Sequence, residues 1–196
     1  MRATDRLPPD ADLVAGTARL VLTPLTAADA GELATVLDDP ELHRFTGGEP
    51  LSEAELSARF TIWEGRRSPD GGQVWLNWTV RLAAGGQAVG YVQATVDEER
   101  AVVAYVIGTA WSGRGIASEA LVAVCDLLRR RLGVDRIVAH IHPLHVASSR
   151  VAGHAGLTST GIADEDGELI WEWRSGVHAD PPDPPPGAAQ AAPGRS

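Results

Sequence analysis

The chain has 196 residues, a formal charge of −9 and a single cysteine. That length suits one domain, and the acidic balance argues against nucleic acid as a partner while suiting a cationic, amine-bearing one. One cysteine excludes a disulfide framework. The absence of an 18-residue apolar run or a signal-peptide pattern predicts a cytoplasmic chain with no membrane partner.

Residues 1–15 carry Pro8-Pro9-Asp10 and no sustained apolar period. Residues 176–196 hold six of the thirteen prolines and little hydrophobic material. Neither segment has the apolar surface to offset its ordering entropy, so both read as disordered arms around a folded unit at 16–175.

Leu20-Val21-Leu22, within 17–25, reads as the first strand. Thr26 then caps a helix with Ala30, Leu33, Ala34 and Leu37 on one face, ending before Pro40. Ser52 and Glu55 form a capping box, with Leu51 and Leu56 as its hydrophobic staple, for a second helix that runs to about Arg66. After the turn cluster at 68–72 come three strand-like runs at about 73–83, 87–96 and 101–108. Their short joints predict an antiparallel meander. A long helix follows, with Leu121, Val124, Cys125, Leu128 and Leu132 at core spacing. Its three closing arginines, 129–131, complement the helix dipole, and Gly133 ends it. Then come a strand at 135–142, a short helix at 146–155, and two strands at 157–163 and 168–174 around an acidic turn.

The junction between the third meander strand and the long helix is the most informative segment. Gly113-Arg114-Gly115-Ile116-Ala117-Ser118 leads straight into the helix. Such a turn aims free N–H groups and the positive end of a helix dipole at one point, which suits a phosphate or pyrophosphate. The glycines let the backbone approach the anion, and Arg114 adds a charge-assisted contact. The motif is not a P-loop, because no Gly-Lys-Ser/Thr follows. A dinucleotide-binding fold is disfavoured, because three meander strands precede the loop where that fold needs crossover helices from its start.

Three segments together resemble the GNAT N-acetyltransferases, within them the RimJ/RimL-like branch. These are the opening strand and helix at 19–30, the loop and helix start at 111–121, and 142–157, which looks like the family's Asn-x-x-Ser helix. The resemblance covers about Thr17 to Arg174. It implies an α/β (α+β) fold with a mixed, mostly antiparallel sheet of about seven strands, two of which splay to form a CoA cleft. Acetyl-CoA would be the co-substrate, with the 113–118 loop at the pyrophosphate, backbone N–H groups near Val106 and Ile107 at the pantetheine and thioester, Gly108 as a further cofactor-binding residue, and His145 standing where the family has its pantetheine-binding Asn. Trp75, Asn77 and Tyr105 are the candidates on the acceptor side. Alternation puts Trp75 and Asn77 on one face and Trp78 on the other. Val102-Val103-Ala104-Tyr105 lacks the family's strand glutamate, the usual general base.

Ser148 matches the family serine near the thiol and is suited to donate to the departing sulfur. From local sequence alone it reads equally as a cap of the 146–155 helix. His140 and His142 face one side of a strand and are candidates for proton handling, because imidazole titrates near neutrality; otherwise they are structural or line the pocket. No cysteine or acidic partner stands at recognisable zinc spacing from the His-x-His-x-x-His cluster, so no metal is expected. Trp171 and Trp173 share a face expected to close the sheet edge or meet a second copy in a homodimer. The resulting expectation is an N-acetyltransferase acting on a primary amine, of a small molecule or a protein N-terminus, by direct ternary-complex transfer. The alternative is a non-catalytic acyl-CoA-binding sensor or scaffold.

Overall fold

Two short turns join three alternating runs in the middle of the chain, a pattern that folds as an antiparallel ribbon. The structure, a computed structural model, describes residues 13–45 and 47–176. In it β3 (Val74–Leu82), β4 (Ala88–Val96) and β5 (Ala101–Ile107) pair antiparallel, with Trp78 opposite Val92 and Val92 opposite Tyr105. The first strand, β2 (Leu20–Pro24), adds antiparallel to β3. After α3 (Ile116–Leu132) the chain returns as β6 (Arg136–Ile141), parallel to β5. Following α4 (Val146–His154), the hairpin β7 (Thr158–Ala163) and β8 (Leu169–Arg174) completes one sheet, ordered β1-β2-β3-β4-β5-β6-β8-β7. The sheet has eight strands rather than seven, because β1 (Ala15–Gly16) pairs with β2. Two residues are too few to show an alternation.

The one parallel pair creates the cleft. β5 and β6 are bridged at Ala101–Ile137 and Val102–Val138 and no further. Beyond Val102 the edge of β5 that faces β6 is unpaired, so alternate residues from Val103 to Ile107 present backbone N–H and C=O groups to a widening gap.

Each sheet face has its own core. On one, the stripe Leu121, Val124, Cys125 and Leu128 of α3 packs on Val74, Leu76, Trp78 and Val80, and on Ile137, Ala139 and Ile141. Trp78 is fully buried and its Nε1 donates to the Leu13 carbonyl at 2.7 Å, which ties the segment before β1 into the core. On the other face α1 (Ala30–Val36) and α2 (Glu53–Glu64) bring Leu33, Leu56 and Phe60 onto Leu25 and Ala88, with Tyr91 and Val106 at the margin. These helices leave part of their face open. Trp75, Asn77, Gln93, Thr95 and Val102 are half-buried there, and Ala104 is exposed.

The helix ends follow their local chemistry. Asp29 Oδ2 accepts from the Thr26 N–H at 2.8 Å, and Glu55 Oε2 accepts from the Ser52 N–H at 2.8 Å, each half of a capping box. The second helix stops at Glu64 rather than Arg66, because Arg66 has a left-handed φ of 53°. Arg129, in the last turn of α3, stacks 4.2 Å from the Trp173 ring centroid and donates to the Ala155 carbonyl at 2.9 Å. Trp171 and Trp173 therefore pack against the α3–α4 side of the sheet, and the edge beside them is β7. The expected disordered arms lie for the most part outside the described residues; Leu13, within them, is buried. Among the described residues no helix is long and apolar enough to cross a membrane.

Candidate active site

The loop between β5 and α3 is shaped by two left-handed glycines, Gly113 at φ 74° and Gly115 at φ 75°. Gly115 is the N-cap of α3, so the helix axis starts at the loop. None of the N–H groups from Gly113 to Ser118 meets an acceptor among the described residues; the first helical bond is Glu119 N–H to Gly115 O at 3.0 Å. The amide of Gly108, by contrast, is spent on the Val89 carbonyl at 2.9 Å, so Gly108 contributes position rather than a free donor.

A brace that sequence reading missed holds this loop. Arg19 donates from Nη1 to the Arg114 carbonyl at 3.0 Å and from Nε to Glu119 Oε2 at 2.6 Å. Thr17 donates to the other oxygen of Glu119 at 2.5 Å. Burial opposes ionisation of Glu119, but the bonds from Thr17 and Arg19 outweigh it and hold the carboxyl below its ordinary range. The turn before β2 thus pins the start of α3 and places a guanidinium beside the amides. A concavity of about 690 Å³ between 14–18 and α3 shares Ser118 and Glu119 with the loop. On the far side Thr109 donates to Asp39 at 2.6 Å, which ties the loop to the end of α1.

The other wall of the cleft is α4. Its N-cap is His145, whose Nδ1 accepts from the Ser148 N–H at 3.4 Å. Ser148 is therefore not the cap, and its hydroxyl is free for another role. Tyr105 reaches across the gap from β5, its OH 2.9 Å from the Ser148 carbonyl and 3.0 Å from Ser148 Oγ. Burial, only partly offset by the bond to Ser148, pushes the Tyr105 phenol up to about 12, so it remains a donor at ordinary pH. The phenol has one hydrogen for these two acceptors, and when it donates to Oγ the hydroxyl hydrogen of Ser148 is left for a second acceptor.

The open sheet face meets the cleft where β5 and β6 part. Gln93 Nε2 donates to Asn77 Oδ1 at 2.9 Å, an amide pair on a floor with Trp75 and Thr95 beside it. Trp75 and Asn77 thus come together, whereas Tyr105 packs toward the opposite, α3 side of the sheet. At positions 102 and 104 the floor is apolar. His140 lies on this same face, two residues beyond the last bridged pair. Its Nδ1 is 2.6 Å from Asp164 Oδ2. The Asp164 carboxyl is held below its ordinary range, chiefly by that bond and by the Glu168 N–H.

His142 and His145 gather elsewhere, at the N-terminal end of α4. Phe45, from the segment between α1 and α2, stacks on His145 with centroids 4.4 Å apart and lies 5.2 Å from His142. Burial, with the neighbouring His142, lowers the affinity of His145 for a proton. Sequence reading missed Phe45, which stands in no motif. Cys125 is buried in the α3 core, where burial pushes its thiol up to about 12, and it takes no part in the site.

Known proteins share this fold. The family model for the acetyltransferase (GNAT) domain matches residues 19–158. A Bacillus subtilis (strain 168) protein named "Probable N-acetyltransferase YjcK" is 33% identical over 76 residues, 38% of this chain and 42% of that protein. The GNAT-family acetyltransferase of Bacillus anthracis superimposes with a TM-score of 0.68 at 17% identity, over 82% of this chain and 98% of its own. Mycobacterium smegmatis RimJ, solved with CoA-disulfide, gives 0.65 at 19% identity, over 80% and 82%. At such identities the two structures establish the fold alone. The family match does more, since it runs from the first long strand through α4 and so spans both walls of the cleft; on that ground the chain belongs to the GNAT acetyltransferase family.

Proposed function

We propose that this chain moves an acetyl group from acetyl-CoA to a primary amine by direct transfer in a ternary complex, as a member of the RimJ/RimL-like branch. One observation carries the reading: unsatisfied amides at 113–118 lie at the open end of a splay whose wall holds Ser148 on Tyr105. The pyrophosphate is suited to the amides and to the charge of Arg19 and Arg114. The pantetheine arm is suited to the unpaired edge of β5 near Val106 and Ile107, with the thioester toward Ser148. The acceptor, a small-molecule amine or a protein N-terminus, would approach over Trp75 and Asn77.

The reaction then needs three things from the chain. The amine nitrogen attacks the thioester carbon, forming C–N while the carbonyl electron pair moves to oxygen, which wants a backbone donor. The nitrogen gives up one proton to a histidine of the β6 segment, since no carboxylate stands at 102 or 104. The C–S bond then breaks, its electron pair goes to sulfur, and Ser148 passes its hydroxyl proton to the thiolate and is reprotonated from the solvent, to which the histidine returns the proton of the amine. One proton leaves the amine and one reaches sulfur, so the books close as amide plus CoA thiol.

Thioester cleavage by the full chain, followed as free CoA thiol across a panel of amines, tests this. Release that depends on an amine is expected. Acetyl-CoA binding with no release for any amine would make the chain a sensor or scaffold instead.

A further inference from the structure

Three histidines lie near the cleft, and their hydrogen bonds distinguish them. His142 Nδ1 accepts from the Leu144 N–H at 3.2 Å, and His145 Nδ1 accepts from the Ser148 N–H at 3.4 Å. A backbone N–H can only donate, so in both neutral rings Nδ1 is the lone pair and Nε2 carries the hydrogen. Neither ring offers a basic nitrogen at its outer end. His140 is the reverse. Its Nδ1 faces a carboxylate oxygen, which can only accept, so Nδ1 carries the hydrogen and Nε2 keeps a free lone pair.

The partner of His140 is built into the fold. Asp164 sits in the β7–β8 turn, where Oδ1 accepts from the Asp166 N–H at 3.0 Å and the Glu168 N–H at 2.8 Å. Those bonds fix the carboxylate and leave Oδ2 for His140. The Glu168 carboxylate completes a group whose polar atoms lie within 4.8 Å of one another. Along the same face, Glu172 is taken up by Arg136 and Arg174. The 2.6 Å contact is that of a charge-assisted hydrogen bond; two ligands of one zinc ion stand about 3 Å apart or more.

Resting on the transferase reading above, we infer that His140 Nε2 accepts the proton of the attacking amine and that Asp164 is the positioning residue that fixes its tautomer. The pair takes over the task of the glutamate that the strand before the loop lacks. The proton moves from the amine nitrogen to Nε2, and the resulting imidazolium is held by Asp164 until it returns the proton to water.

Asp164→Asn tests the pairing with little disturbance, because the amide oxygen can still accept from the turn while its NH2 faces His140 and drives the hydrogen to Nε2. Long-range ¹H–¹⁵N correlations on the full chain read the tautomers directly. His140 is expected as the Nδ1–H form in the wild type and as Nε2–H in Asp164→Asn, with His142 and His145 Nε2–H in both. kcat is expected to fall about 10- to 100-fold, with the KM for acetyl-CoA little changed and a smaller loss for amines of low pKa. Asp164→Asn turning over at the wild-type rate, or a wild-type His140 in the Nε2–H form, would overturn this inference alone. A wild-type chain that turns over no amine overturns the transferase reading, and the base with it.

Discussion

Gly115→Val is expected to weaken acetyl-CoA binding by at least about 30-fold, the equivalent of roughly 2 kcal/mol. Gly115 has a φ of 75°, which a β-branched side chain adopts only under strain. A Cβ there would sit 3.6 Å from Arg19 Nη2, an ordinary contact, but the two methyl groups beyond it must press on the guanidinium or enter the space above the amides. Either displaces what an anion would bind. Gly113→Ala separates the two effects: its φ of 74° imposes similar strain, but a Cβ there meets nothing within 4 Å. It should lose much less affinity. Titration calorimetry with CoA decides the matter, and equal affinity for wild type and Gly115→Val would remove the loop from the site.

Ser148→Ala is expected to lower kcat about 10- to 100-fold while raising the KM for acetyl-CoA by less than about threefold. The bond from Ser148 to sulfur strengthens as the thiolate develops, so its loss falls on the transition state. Tyr105→Phe removes the donor that orients Ser148 and should cost less, about 10-fold. The two act as a unit, so the double variant should lose about what Ser148→Ala loses alone. Because the Tyr105 phenol is pushed up to about 12, it stays protonated well into alkaline conditions. No loss of activity below that range should therefore trace to it, and Tyr105→Phe should leave the shape of the pH–rate profile unchanged. Independent, additive losses would show that the hydroxyl pair does not work as one donor.

The order and type of the long elements were legible because local chemistry sets them. The Thr26 cap, the Ser52 box, the α3 stripe, Gly133 and the short meander turns each act over a few residues. The alternation around Asn77 likewise separated Trp78, in the core, from Trp75 on the open face. Pairings across long separations were not legible. Arg19 and Glu119 meet over a hundred residues of chain with no periodic signal, and Phe45 reaches the histidines from a segment with no motif. Ser148 read equally as a cap and as a donor to sulfur, because hydroxyls commonly cap helices; the structure gives the cap to His145. Asp164 belonged to an acidic cluster that reads as turn solvation. One oxygen does hold the turn, and the other is what turns toward His140.

The most direct test of acetyl transfer follows the acyl group itself. Acetyl-CoA labelled in the acetyl carbon is incubated with the full chain and an amine that supports CoA release, and the label is traced by mass spectrometry. Label on the amine nitrogen, one for each CoA thiol freed and none retained on the protein, is the expected result. Label appearing as free acetate, or held covalently on the chain before the amine is added, would contradict direct transfer within a ternary complex.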